Sequence, residues 1–271
     1  MRFTSFVAVS AVALSSALAV PAFAADKPLQ FDVENADVTY CGGSEKGNYY
    51  NVVGGTMRDQ LNGVATLGRA TTKGTPEILE RVGNNECNLG TVQADGLVGG
   101  NFSTYEVFGT MYQEYVHLIC SEKSGIEGVR DLNDNTDVVI GFSSQNSGGF
   151  ATWKAMGVLD NGYDKDNGPK VKFVSTKRAA TKLRAGGKSG GIDCFMHVTG
   201  LGSGTIADLG ERLGEDANLV PFNDHDFDDA RLENGDKLYN WAEIPEGTYN
   251  SLGNASGWGN NSVDTISVGA V

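Results

Sequence analysis

Cys41-Gly42-Gly43-Ser44-Glu45-Lys46-Gly47-Asn48-Tyr49-Tyr50 decides how this chain is read, because a strand pattern ends where it begins and a helix pattern starts where it ends. Ahead of it Val38-Thr39-Tyr40 alternates as a strand does. Behind it Val53, Met57 and Leu61 recur every four residues, the spacing of one helical face. A strand that empties through glycines into a helix start leaves backbone N–H groups facing outward beside the positive end of the helix dipole. That is a natural seat for an anion. Two tyrosines at the seat add flat, rigid surface and a hydroxyl each. The competing reading is a glycine-rich turn over core tyrosines.

Outward from this stretch, strand and helix patterns alternate. Apolar strand candidates fall at 38–41, 64–67, 88–92, 112–120, 138–142, 171–174, 192–198, 219–222 and 263–268, with helical patterns at 50–61, 76–82, 148–159 and 179–183. Such alternation predicts an α/β fold of parallel sheets with helices on both faces. Two further helix starts share the style of the first. Lys73-Gly74-Thr75-Pro76 offers Thr75 as N-cap and Pro76 at the first helical position. Gly141-Phe142-Ser143-Ser144-Gln145-Asn146-Ser147-Gly148-Gly149 is again strand, Ser/Gly loop, then helix. In doubly wound sheets such loops lie at the carboxyl ends of strands, where ligands bind. Each helix end contributes about 0.3–1 kcal/mol to holding an anion, so side chains and burial must supply most of a micromolar affinity of about 8 kcal/mol.

Residues 1–24 read as a secretory signal, with Arg2 as the positive start, an apolar and small-residue run from Phe6 to Val20, and Ala22-Phe23-Ala24 at the cleavage site. The mature chain then begins near Ala25 and is soluble outside the cytoplasm, without inserting in the membrane, because the run is too short to span and no later segment comes close. No cysteine follows the cleavage site to carry a lipid. With 21 basic and 34 acidic residues the net charge is -13, and losing Arg2 takes it to -14. Such a surface repels nucleic acid and anionic lipid. Removing 24 of 271 residues leaves room for one large domain or two lobes. Cys41, Cys87, Cys120 and Cys194 are an even set in an exported chain, which suggests disulfides in one of three pairings, Cys41–Cys87 being favoured. Their spacing matches no zinc pattern.

The remaining candidates read as structural. His117 and His197 sit in strand patterns and His225 in an acidic loop; Asn223-Asp224-His225-Asp226-Phe227-Asp228-Asp229 lacks the EF-hand order. Gly187-Lys188-Ser189 fails as a Walker tail, since Lys182 stands where the first glycine belongs, and Gly200-Leu201-Gly202-Ser203-Gly204 lacks the last dinucleotide glycine. No cofactor or metal is expected. Lys177, Arg178, Lys182 and Arg184 form a solvated helix face, with Arg178 in reach of an anion; Trp153 and Trp241 read as core. A serine hydrolase built on Ser147 lacks the Gly-x-Ser-x-Gly elbow, Gln145 and Gly149 standing at those positions.

The order of these segments resembles the TAXI family, solute-binding proteins of a branch of the TRAP transporters. Gly47-Asn48-Tyr49-Tyr50 matches its Gly-x-Tyr-Tyr turn, and Thr72-Lys73-Gly74-Thr75 its Thr-rich Gly-Ser segment. Val92-Gln93-Ala94-Asp95 and Tyr112-Gln113-Glu114-Tyr115-Val116-His117 follow, then Asp131-Leu132, Ser147-Gly148, Gly191-Ile192-Asp193 and Ile244-Pro245-Glu246-Gly247-Thr248-Tyr249. The matches run from about residue 36 to 268 in family order.

The resemblance implies a two-lobed periplasmic binding protein of type II, each lobe a mostly parallel sheet flanked by helices, with a ligand cleft between lobes. Lobe 1 takes 25–115, lobe 2 takes 116–242, and 243–271 returns to lobe 1. It implies no catalysis, a small organic anion such as glutamate or another dicarboxylate as ligand, and a TRAP-type membrane permease as partner. Carried over by position, the ligand set is Gly47, Tyr49, Tyr50, Gly74, Thr75, Gln93, Asp95, Ser147 and Gly148. Tyr49 packs on the ligand's carbon chain, Gln93 donates to a carboxylate, and Asp95 receives an ammonium or orients neighbours. Departures are Ile78 where the family carries Asn, and no proline in His197-Val198-Thr199-Gly200. Family members also continue beyond the strand at 263–268, which leaves lobe 1 short of cover and keeps open an exported sensor or interaction protein.

Overall fold

The computed structural model describes residues 37–45, 47–97, 105–231, 237–254 and 262–271; residues 1–24, expected as an export signal, lie outside them. Eleven strands are described: β1 (Asp37–Cys41), β2 (Thr66–Ala70), β3 (Leu89–Gly90), β4 (Tyr112–Ser121), β5 (Val139–Phe142), β6 (Lys170–Phe173), β7 (Cys194–Thr199), β8 (Ala217–Val220), β9 (Asn240–Ile244), β10 (Gly253–Asn254) and β11 (Val263–Ala270). The α-helices are α1 (Gly54–Leu61), α2 (Thr75–Gly83), α3 (Gly148–Leu159), α4 (Thr176–Ala185) and α5 (Gly204–Leu213). The fold is α/β, its sheets flanked by helices. A small parallel sheet runs β2-β1-β3, and a larger one runs β10-β8-β4-β7-β5-β6 with β11 between β4 and β9.

β4 carries the core of the large sheet because its apolar residues point both ways. Leu118 joins Ile140, Phe142 and Met196 beneath Trp153 and Met156 of α3. Its neighbour Ile119 joins Phe195 beneath Leu183 of α4 and Ile206 and Leu209 of α5. A strand covered on both faces must be largely apolar, which is why 115–120 is apolar but for His117. Each such side chain contributes about 1.5–3 kcal/mol by leaving water.

The large sheet is mixed where a mostly parallel one was expected. β4 runs antiparallel to β7, β8 and β11, and β11 antiparallel to β9, while β5 runs parallel to β6 and β7. Two disulfides are present, Cys41–Cys87 and Cys120–Cys194, the second between directly opposed residues of β4 and β7. The small sheet is tied to the large one through the end of β11. Val92 and Val271 exchange N–H···O bonds at 2.8 Å in both directions, and Gln93 bridges Ala270.

Trp153 is buried as expected, but Trp241 is 40% exposed, its ring edge-on to His225. It lies on β9, which pairs with β11 alone among the described strands.

Candidate functional site

Three strand-to-helix elbows converge where the two sheets meet. In the first, Gly42 is required because a Cβ there would lie 2.6 Å from the Tyr50 Cα. The chain then enters a π-helical turn, Tyr49–Val53, that runs into α1. Tyr40 fixes this turn from below, its hydroxyl donating to the Tyr49 carbonyl at 2.7 Å and accepting from Thr91 Oγ1 at 2.9 Å. Gly47 is half-buried on the rim. Tyr49 points inward and is buried. Tyr50 turns away from it and lies under the Arg69 guanidinium, 4.6 Å from ring centre.

In the second elbow Thr72 Oγ1 donates to the Gly42 carbonyl at 2.7 Å, locking the first two elbows together. Gly74, with φ at +136°, is the N-cap of α2, so the helix starts one residue earlier than Thr75 capping implied. The Thr75 hydroxyl instead accepts the Gln93 backbone N–H at 3.1 Å. In the third, Ser147 caps α3: its Oγ accepts from the Phe150 N–H at 3.3 Å and donates to the Ser144 carbonyl at 2.8 Å.

The elbows touch. A Cβ on Gly74 would sit 2.3 Å from the Asn146 carbonyl oxygen, and one on Gly148 would overlap Gln93 Oε1 at 1.5 Å. The second and third elbows therefore close directly on each other with Gln93 wedged between. Gln93 Nε2 donates to Thr152 of α3 at 3.3 Å, Thr152 donates to Asp95 Oδ2 at 2.6 Å, and the Tyr239 hydroxyl reaches the same oxygen at 3.2 Å. Asp95 Oδ1 is buried without a well-formed hydrogen bond from the described residues, the N–H groups of Asp95 and Gly96 lying alongside.

A second acid stands beside this lacing. Glu114 on β4 accepts from Tyr49 Oη at 2.5 Å and from Tyr112 Oη at 3.5 Å. Burial raises its carboxyl to about 8, against the pull of the Tyr49 bond and helped by the nearby Asp95 charge. Burial raises Asp95 to about 6, partly offset by the bonds from Thr152 and Tyr239. Tyr49 and Tyr239 are held well above the usual phenol range, first by burial and then by these acids. Among the described residues neither acid has a lysine, arginine or histidine partner. The arrangement can hold a proton shared among carboxyls and phenols, or a ligand cation.

Of the nine residues singled out in the sequence, Gly74, Thr75, Gln93, Asp95, Ser147 and Gly148 form one contact set. Tyr49 joins it through Glu114, and Gly47 and Tyr50 stay at its edge. Glu114, Thr152 and Tyr239 were missed. An acid inside an otherwise apolar strand was the available signal for Glu114; Thr152 and Tyr239 carry none. His117, buried, and His197, half-buried, are strand neighbours away from this set. Tyr249 Oη lies 2.9 Å from His117 Nε2, and desolvation lowers the two rings to about 3 and about 4. Asp160, Asp224 and Asp226 bring carboxylate oxygens within 4.8 Å of one another, with Asp224 accepting from Tyr163 at 2.5 Å.

From residue 41 to residue 271 the sequence matches the NMT1-like family. The chain belongs to that family. No curated protein matches it. Among solved structures, this NMT1-like chain is similar to the periplasmic aliphatic sulphonate binding protein SsuA from Escherichia coli, at 10% identity and a TM-score of 0.45 over 69% of this chain and 60% of that one. A protein from Bordetella bronchiseptica RB50 gives 16% identity and a TM-score of 0.49 over 87% of this chain and 64% of that one. The arginine-bound amino acid ABC transporter substrate-binding protein AbpA from Streptococcus pneumoniae gives 10% and 0.46 over 70% and 76%. The NMT1-like chain thus spans less than two thirds of the length of the first two.

Proposed function

We propose that the chain is a periplasmic solute-binding protein that captures a small organic anion, glutamate or a related dicarboxylate, for a TRAP-type membrane permease. The observation that carries this reading is the meeting of the elbows, Gly74 on Asn146 and Gly148 on Gln93, around the buried Asp95 and Glu114. Parting those contacts uncovers N–H groups at the starts of α2 and α3 together with the Tyr49 ring. Arg69, over Tyr50, brings a positive charge to the first elbow. Glutamate suits this set better than a plain dicarboxylate, because its ammonium meets the Asp95 carboxylate that a second ligand carboxylate would oppose. Gly47, Tyr49, Tyr50, Gly74, Thr75, Gln93, Asp95, Ser147 and Gly148 form the ligand set, with Glu114 added. Residues 25–115 and 116–242 act as the two lobes, with 243–271, whose β10 and β11 pair in the large sheet, returning to the first lobe at Val271, and 1–24 act as the export signal. The reading includes no catalysis: the Ser147 hydroxyl is engaged as a helix cap.

Thermal unfolding with and without ligand tests this. Glutamate at a hundredfold excess over its Kd stabilises by about 2.7 kcal/mol. The rise should disappear in Asp95→Asn. If no acidic amino acid or dicarboxylate raises the midpoint, the proposal fails.

A further inference from the structure

The stretch from Lys170 to Lys188 holds seven of the chain's 21 lysines and arginines and none of its 34 acids. Its placement concentrates that charge. Lys170 and Lys172 lie two apart on β6, hence on one side of the edge strand of the large sheet. Lys172 Nζ reaches the Gly190 carbonyl at 2.5 Å, and Lys182 Nζ reaches the same oxygen at 3.3 Å, so two ammonium groups share one acceptor. Arg178 stands one turn before Lys182 on α4, and Lys188 two residues before Gly190. Among the described residues no carboxylate pairs with any of these five. The acid close by, Asp193, is turned onto the backbone N–H groups of Val139 and Gly187 at 2.8 Å. Val171 and Phe173 alternate with these lysines, on the other side of the same edge strand, and are 37% and 46% exposed.

We propose that this edge, β6 with the flank of α4 and residues 187–190, is a docking face for an anionic phospholipid surface. Edge strands use lysine to block pairing with other strands, which accounts for Lys170 and Lys172 but not for Arg178 and Lys188. A cationic rim on one side of an edge strand that exposes Val171 and Phe173 on its other side is the chemistry of a peripheral membrane contact met edge-on, its main attraction that of ammonium and guanidinium groups for phosphates. The net charge of the chain does not forbid it. At physiological salt the Debye length is about 8 Å, so a bilayer senses the face turned toward it and little of the acidic remainder. The inference goes beyond solute binding and does not depend on it.

Cosedimentation of the full chain with vesicles tests the proposal, using equal parts phosphatidylglycerol and phosphatidylcholine against phosphatidylcholine alone. Binding should require phosphatidylglycerol and fall steeply with salt. Each cation near such a surface is worth roughly fivefold in partition. The triple variant Lys170→Gln, Arg178→Gln, Lys188→Gln, built from exposed side chains that anchor nothing, should therefore bind on the order of a hundredfold less. Lys170→Glu, Arg178→Glu, Lys188→Glu should abolish binding, and Lys123→Gln on another face should not change it. Equal partition of the wild type and the triple variants overturns the proposal. So does an absence of phosphatidylglycerol dependence, or capture of acidic protein or nucleic acid by this face with no vesicle binding.

Discussion

Replacing Glu114 by glutamine should flatten the alkaline side of the stability profile. The native carboxyl keeps its proton to about 8, whereas the ordinary value is 4.5. Between those limits the folded state holds a proton that the unfolded chain releases. Stability from this group is therefore complete below pH 4.5 and is lost as pH rises through 8. At about 1.4 kcal/mol per tenfold in proton affinity, the loss is on the order of 4–5 kcal/mol. Glutamine keeps the volume and an acceptor oxygen for the Tyr49 hydroxyl but cannot ionise. Urea unfolding followed at pH 5, 7 and 9 should place the two proteins within about 1 kcal/mol at pH 5. The variant should then exceed the wild type by several kcal/mol at pH 9. Asp95 is raised in the same sense, from 3.8 to about 6, but it is common to both proteins and cancels in the difference. Parallel curves from pH 5 to pH 9 would refute the view that Glu114 is buried without a cation.

Two further outcomes are expected. Alkylation of the denatured, unreduced chain should find no free thiol, and Cys120→Ser with Cys194→Ser should cost about 4 kcal/mol through the 74-residue loop that the bond closes; recovery of four reactive thiols would contradict both bonds. Gly148→Ala drives a methyl into the Gln93 amide and should cost about 1–3 kcal/mol, read by the same unfolding assay, while unchanged stability would mean that the elbows stand apart in solution.

The helices were legible where a cap and an apolar face agree. The pattern at 148–159 coincides with α3 because Ser147 caps it and Trp153 and Met156 face the sheet. Elbow positions were legible because glycine followed by a hydroxyl residue leaves few alternatives. Other features were hidden. β2 runs Thr66–Ala70 rather than 64–67, since Gly68 interrupts its apolar alternation. α5 begins in the Gly200–Gly204 turn and was read as loop, and β9 and β10 are too short or too polar for periodicity to find. Strand direction is absent from local pattern altogether, so the mixed sheet was not foreseen. The same reasoning explains the site. Gln93 and Asp95 stand out beside a strand end, but their partners Thr152 and Tyr239 arrive from distant segments through packing alone.

β4 enters the chain early yet finds its neighbours late. Cys120 waits for a residue 74 positions downstream, and the Val116 carbonyl accepts from a threonine 149 positions away. Closing such long segments delays the rewarding contacts, which makes for slow acquisition of the native state. A ribosome-bound chain therefore cannot complete its central strand until β11 has emerged. That lag keeps the nascent polypeptide loose, its central sheet open, until the distant partners of β4 arrive.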